Sequence, residues 1–156
     1  MNDITLDTTD IRRLLPHRYP MLLVDAVTRL SPGQSLTATK AVTANEPWFA
    51  SETDIVYPQV LLVESWCQAA GVLAVWQLRD SAELSARVPL FGAISHIEFG
   101  RTIVPGDLLE HRVRLSRAFS DTWMFEGETT VGDETILTVE RVTIAFRPTE
   151  DLAGAR

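Results

Sequence analysis

The stretch PQVLLVESWCQAAGVLAVWQLR, residues 58–79, sets the architecture of this chain. It has no internal proline, is too long for a strand, and is apolar on almost every side, which is typical of a buried helix. At about 1.5 Å per residue such a helix is also long enough to cross a membrane. However, Glu64, Gln68 and Gln77 interrupt it, and charged residues are rare within membrane spans. We therefore predict the core helix of a globular domain, with Pro58 suited to its first position.

The composition is that of an ordinary globular chain of 156 residues, with 46% hydrophobic and 22% charged residues. That length predicts a single domain over residues 1–156. The formal net charge of −7 argues against nucleic acid and anionic membranes as partners, because both attract a basic face. Cys67 is the lone cysteine, so intramolecular disulfides and Cys-rich metal sites are excluded. We expect no metal and no cofactor.

The opening MNDITLDTTD is polar and acidic. It has neither the basic nor the apolar region of a signal peptide, and we expect a cytoplasmic protein. A short helix is predicted at residues 8–15, with Thr8 or Thr9 as its cap and Pro16 as its stop.

Strand signals lie on both sides of the long helix, as alternating or β-branched runs separated by turn dipeptides. One antiparallel sheet must therefore wrap around one helix in an α+β fold. Because one helix cannot cover both faces of such a sheet, the other face meets solvent or a second copy of the chain. The six predicted strands are residues 21–30, 35–42, 88–99, 108–119, 122–131 and 134–146.

Three segments resemble the β-hydroxyacyl-[acyl-carrier-protein] dehydratase family of fatty-acid synthesis. LLPHRYPMLLVDAV (14–27) is similar to the family's LPHRYPFLLVD. NEPWF…PQVLLVESWCQAAGVLA (45–74) is similar to NEPFF…PGVLxxEALAQAAG, and FGAISHIEFGRTIVPGDLL (91–109) to FxGIDxxxFxRxVxPGD. The resemblance implies a hotdog fold, in which a six-stranded antiparallel sheet wraps around the central helix. It also implies a double-hotdog dimer with active sites at the subunit interface, and an acyl thioester of acyl carrier protein or coenzyme A as ligand.

The chain departs from the family where the catalytic histidine should stand. Family members carry a segment like GHFPGxPVMPG, whereas residues 50–59 read ASETDIVYPQ, two residues shorter. Glu52 stands about where the histidine belongs, and Gln59 replaces a glycine at the helix start. The resemblance retains Glu64 as the helix carboxylate, with Gln68 one turn later.

Dehydration of a β-hydroxyacyl thioester needs a base for the α-proton, an acid for the hydroxyl and a dipole for the thioester oxygen. Glu64 is the first catalytic candidate and Glu52 the second, although loop carboxylates are mostly solvated. The N–H groups near Gln59 and Val60 suit the thioester oxygen because they lie at the positive end of the helix.

Three further side chains complete the predicted substrate-binding set. They are Gln68, Tyr57 and Trp66, of which Trp66 is expected to narrow the acyl tunnel. His17 is interpreted as structural, so the channel beside Glu64 is expected to contain no imidazole.

Acidic carrier proteins require local cations for docking, and Arg87 and Arg101 are the predicted docking residues. Arg12, Arg13 and Arg18 are the alternatives. An ordinary solvated surface charge is the other interpretation for each of them.

Several functions stay open from the sequence. The first is a dehydratase-like protein of fatty-acid or polyketide synthesis with impaired or non-standard catalysis, acting as a homodimer or as the partner of an active dehydratase subunit. The second is an active hydro-lyase that pairs Glu64 with Glu52 or another group. The third is a hotdog thioesterase in which Glu64 activates water or attacks the thioester. A non-catalytic dimeric module is the fourth.

Overall fold

The computed structural model describes residues 3–51, 53, 55–82 and 86–150. Within these ranges two α-helices and one 3₁₀ turn, Pro47–Phe49, accompany seven strands. The helices are α1 (Thr8–Leu14) and α2 (Gln59–Leu78). The strands are β1 (Ile4–Leu6), β2 (Ala26–Ser31), β3 (Ser35–Ala41), β4 (Arg87–Phe99), β5 (Leu108–Ala118), β6 (Thr122–Val131) and β7 (Glu134–Pro148).

The strands form one antiparallel sheet in the order β1-β2-β3-β5-β6-β7-β4. Hairpins join β2 to β3, β5 to β6 and β6 to β7, as the turn dipeptides predicted. The sheet encloses α2, whose residues between Ser65 and Val75 are all buried. This confirms the interpretation of α2 as a core helix, although its length and hydropathy alone would also fit a membrane span.

Close packing of α2 against the sheet depends on one glycine. Gly127 in β6 has φ +155°, and a Cβ there would overlap the carbonyl oxygen of Arg112 in β5. Trp66 of α2 lies directly beneath it, fully buried, and donates its indole N–H to that same carbonyl at 3.3 Å. The glycine therefore lets a tryptophan approach the sheet backbone.

Three local predictions need correction. The sheet has seven strands rather than six, because the three-residue β1 pairs with β2 through Ile4 and Leu6. The short N-terminal helix is capped by Asp7, whose carboxylate accepts from the N–H of Asp10, and not by Thr8 or Thr9. Residues 21–25 lie outside β2 because side chains of α2 bind the backbone of this segment, as described below.

Candidate active site

Glu64 lies at the surface of α2 with its side chain 36% exposed. Its Oε1 accepts a hydrogen bond from Gln68 Nε2 at 2.9 Å, one helical turn later. Oε1 is also 3.4 Å from Nε2 of His17, whose side chain is 29% exposed. The expectation that no imidazole lies beside Glu64 is therefore wrong: the chain's own PHRYP segment supplies one.

Side-chain hydrogen bonds to its backbone hold the segment between α1 and β2 on α2. The Gln68 side chain accepts from the N–H of Leu23 at 2.8 Å and donates to the carbonyl of Met21 at 2.7 Å. The guanidinium of Arg18 donates to the His17 carbonyl at 2.7 Å and to two carbonyls at the end of α1. These bonds place the His17 ring over Glu64.

A buried polar chain supports the same segment from inside the core. Ser65 Oγ lies 2.6 Å from the Leu23 carbonyl and 2.7 Å from His111 Nε2, and His111 Nδ1 lies 2.7 Å from Thr129 Oγ1. A carbonyl can only accept, so Ser65 donates to Leu23 and accepts from His111 Nε2–H. In the neutral imidazole, His111 Nδ1 then accepts from the Thr129 hydroxyl. Burial, with the nearby charge of Lys40, lowers the pKa of His111 to about 3.

Ser65, His111 and Thr129 were not among the functional residues predicted from the sequence. A signal was present in the resemblance: the quoted family pattern has alanine where Ser65 stands. A polar side chain in an apolar core helix requires a buried partner, and His111 on a strand of alternating pattern was one of few candidates. Ser65 and His111 lie 46 positions apart, so their spacing in the sequence does not predict that they are partners.

The N-terminus of α2 lies about one and a half turns before Glu64. Pro58 is the N-cap, and its carbonyl accepts the first two helical bonds, from Leu61 and Leu62. The N–H groups of Gln59 and Val60 therefore precede the first bonded turn, where the helix dipole is positive. A cavity of about 200 Å³ lies at this end, between the helix start and the loop that follows β4.

Three of the predicted substrate-binding residues, Gln68, Trp66 and Tyr57, are buried. The Gln68 amide is bonded to Leu23, Met21 and Glu64. Trp66 packs under the sheet and does not adjoin Glu64. Tyr57 is 1% exposed and borders the cavity at the start of α2. Its hydroxyl has no hydrogen-bond partner among the residues described, and burial together with the charges of Glu46 and Asp25 raises its pKa. Glu52, the second catalytic candidate, lies outside the described residues, so its role stays a prediction.

Cys67 is buried in α2. Burial, and to a lesser degree the charge of Glu64, raises the pKa of its thiol to about 12. A thiol in that state is a packing group. In the described part of the chain, no three His, Cys, Asp or Glu side chains are grouped as a metal site.

The predicted docking arginines differ in their surroundings. Arg101 binds both oxygens of Asp107, at 2.8 and 3.1 Å, and Glu134 at 2.9 Å. These bonds raise the pKa of Arg101 and hold that of Asp107 below its usual range. Its charge is thus neutralised within the chain. Arg87 begins β4 and is half-buried, and its docking role stays a prediction, as does that of Arg101.

A concavity of about 740 Å³ lies elsewhere, on the outer face of the sheet. Neither Glu64 nor His17 lines it, and most of its charged side chains are paired, such as Arg112 with Glu128 at 3.1 Å. We assign it no part in the site.

A sheet wrapped around one long helix, with a carboxylate on that helix, defines a hotdog protein. Residues 15–140 match the FabA-like domain family. The chain is 38% identical over 141 residues to the 3-hydroxyacyl-[acyl-carrier-protein] dehydratase FabZ of Coxiella burnetii, covering 89% of this chain and 99% of that protein. It is 40% identical over 157 residues to the enzyme of the same name from Oleidesulfovibrio alaskensis, covering 97% and 100%.

Solved structures agree on the fold. A chain of the dehydratase heterocomplex ApeI:P from Xenorhabdus doucetiae superposes with a TM-score of 0.78 at 20% identity, covering 92% of this chain and 94% of that one. A hypothetical thioesterase with coenzyme A from Streptococcus pneumoniae superposes with a TM-score of 0.61 at 10% identity, covering 78% and 84%. The chain therefore belongs to the hotdog-fold 3-hydroxyacyl-[acyl-carrier-protein] dehydratase family.

Proposed function

We propose that this protein binds 3-hydroxyacyl and 2-enoyl thioesters of acyl carrier protein over Glu64 and interconverts them by non-standard catalysis. The proposal rests on the position of Glu64, a carboxylate that is about one-third exposed and lies about one and a half turns from the positive end of α2. The names of the FabZ relatives support the substrate class.

The thioester carbonyl fits the start of α2 in this proposal. The N–H groups of Gln59 and Val60 would stabilise negative charge on its oxygen as the α-proton leaves. Glu64 follows about one and a half turns later, where we expect it to face the α- and β-carbons of the same acyl chain. Gln68 holds the carboxylate at 2.9 Å and so keeps it in one orientation.

Catalysis by this chain must differ from that of the family pattern, because residues 50–59 lack its histidine. Glu52, which stands about there, remains a candidate base. We expect turnover below that of relatives that carry the histidine, because a displaced proton-transfer group is costly for rate.

Exposed apolar side chains near the site suggest a surface that a partner chain covers. Val60 is 72% exposed and Met21 40% exposed, although both are apolar and close to Glu64. The edge strand β4 also exposes Leu90, Phe91 and Ile94. We propose that a second chain covers this surface, either an identical copy or an active dehydratase subunit. The similar X. doucetiae chain comes from a dehydratase heterocomplex. The tests therefore include an active dehydratase subunit as a partner.

The test measures hydration of crotonyl-acyl-carrier protein by the purified chain. We expect slow turnover that Glu64→Gln lowers by about 10²-fold or more, while Glu140→Gln, an exposed carboxylate on β7, stays within twofold. Mass spectrometry of the products separates 3-hydroxybutyryl-carrier protein from free carrier thiol. Thiol release without hydration would identify a thioesterase and refute the proposal.

A second measurement addresses the partner. Sedimentation of the chain alone, and of the chain co-expressed with a histidine-containing dehydratase, distinguishes a homodimer from a mixed dimer. A stable monomer in both samples would refute the covering of Met21, Val60 and the β4 edge.

A further inference from the structure

We infer that His17 is the second acid/base group of this site and acts with Glu64 as a pair within one chain. The inference rests on the proposed function and names the residue that takes the place of the imidazole missing from residues 50–59. It assigns a catalytic role to the histidine of the PHRYP segment, which the sequence interpretation treated as structural.

The His17 ring faces Glu64 with its Nε2 atom. Nε2 lies 3.4 Å from Oε1 of Glu64. Nδ1 is buried and has no hydrogen-bond partner among the described residues. Because both side chains remain about one-third exposed at the same surface, an incoming substrate can reach Nε2 and the carboxylate together.

A purely structural contact explains this pair poorly. Charge-assisted hydrogen bonds are shorter, about 2.7–2.9 Å, and a partly exposed ion pair contributes little to stability. The segment that carries His17 is already anchored by stronger contacts, namely the bonds of Gln68 to Met21 and Leu23 and the bonds of Arg18. The His17 ring can therefore be lost without loss of that anchoring.

The pair matches the demands of dehydration. The Cα–H bond breaks and its proton passes to the Glu64 carboxylate, while its electrons form the Cα=Cβ double bond. The Cβ–O bond breaks, and the hydroxyl leaves as water with the proton of the His17 imidazolium. The substrate proton on Glu64 then passes to Nε2 across the 3.4 Å between them, which restores the carboxylate and the imidazolium. The reactant and the product differ by one water, so atoms and charge balance.

The spacing suits groups on neighbouring carbons. The α-proton and the β-hydroxyl leave from adjacent atoms of one acyl chain, so an acid and a base that lie side by side can serve both from one face. Gln68 binds the Glu64 carboxylate, and Arg18 binds the backbone carbonyl of His17. Such preorganisation contributes to rate because little rearrangement is needed at reaction.

The chain offers a matched control. His96 lies on the edge strand β4 with its Nδ1 3.3 Å from Glu140 Oε2, an exposed His–Glu pair of nearly the same separation. His17→Asn and His96→Asn therefore remove the same chemical group from two similar pairs, only one of which adjoins the start of α2.

The experiment compares wild type with both variants in two assays. One is binding of an unreactive acyl-pantetheine amide on carrier protein. The other is exchange of the α-proton of 3-hydroxybutyryl-carrier protein in D₂O, together with crotonyl hydration. We expect His17→Asn to lower kcat and exchange by about 10²-fold or more, with binding changed less than twofold, and His96→Asn to leave all three within twofold. Added imidazole should partly restore His17→Gly.

Three results would overturn the inference. They are wild-type rates in His17→Asn, equal losses in both variants, or absence of α-proton exchange in a wild-type chain that still binds the amide. The last result leaves the binding half of the proposed function intact. Failure of the wild-type chain to bind the amide refutes the proposed function itself.

Discussion

Acidification should destabilise the fold through the buried imidazole of His111. Its pKa is about 3 in the folded chain against the ordinary value of 6.5. Between these values the unfolded chain binds a proton that the folded chain does not, so the free energy of unfolding falls as pH is lowered. The loss is absent above pH 6.5, grows by about 1.4 kcal/mol per pH unit below it, and reaches about 2 kcal/mol at pH 5.

Urea unfolding at pH 8, 7, 6 and 5 measures this loss, and a paired variant isolates it from the carboxylates. In His111→Leu/Thr129→Val both members of the hydrogen bond become apolar, while Ser65 keeps its bond to the Leu23 carbonyl. Replacing both partners in this way costs little. From pH 7 to pH 5, the free energy of unfolding of the wild type should fall by about 2 kcal/mol more than that of the variant. Parallel pH curves would refute the neutral, buried imidazole.

The same polar chain predicts the effect of Ser65→Ala at pH 7. That change leaves the Leu23 carbonyl without its donor and the Nε2–H of His111 without its acceptor. We expect a loss of about 1–3 kcal/mol for each unsatisfied buried group. His111→Leu/Thr129→Val with Ser65→Ala should be less destabilised than the sum of the separate changes, because only the carbonyl is then left unpaired.

Other predictions concern single positions. Gly127→Ala should cost about 3 kcal/mol or more, because its Cβ overlaps a β5 carbonyl, whereas Gly132→Ala, with positive φ but open space, should cost about 1–2 kcal/mol; thermal unfolding compares them. Lys40→Met should cost about 3–5 kcal/mol because it strands the buried carboxylate of Glu46 at 10% exposure, and Lys40→Met/Glu46→Gln should recover part of that loss in the same assay. Cys67 should react with Ellman's reagent at pH 8 only after unfolding, since its pKa is about 12; rapid labelling of the native chain would contradict its burial.

The sequence determined the central helix and most of the sheet because their signals are local. An apolar run without proline reads as a buried helix, and alternation between turn dipeptides reads as hairpins. The strand β1 was missed because three residues are too few for a periodic signal. Residues 21–25 resembled a strand in composition, but tertiary bonds from Ser65 and Gln68 prevailed over that local preference.

The candidate site was only half predictable for a related reason. Glu64 and Gln68 stood out because they are polar in an apolar helix and lie four residues apart. His17 precedes Glu64 by 47 positions, and no periodicity connects a loop to a helix across that distance. Its placement depends on how Arg18 and Gln68 fold the PHRYP segment back onto α2, which is tertiary information.

If His17 and Glu64 act as a pair, the chemistry comes from one chain, and this changes what a partner has to supply. A site that draws its acid and its base from two subunits loses activity when either chain is altered. Here the partner would need only to cover Met21 and Val60 and to exclude water from the thioester. A homodimer and a mixed dimer meet that demand equally well. A mixed dimer of one His17→Asn chain and one Glu64→Gln chain should therefore stay inactive, because neither chain carries both groups, whereas sites shared between subunits would regain one intact site in two.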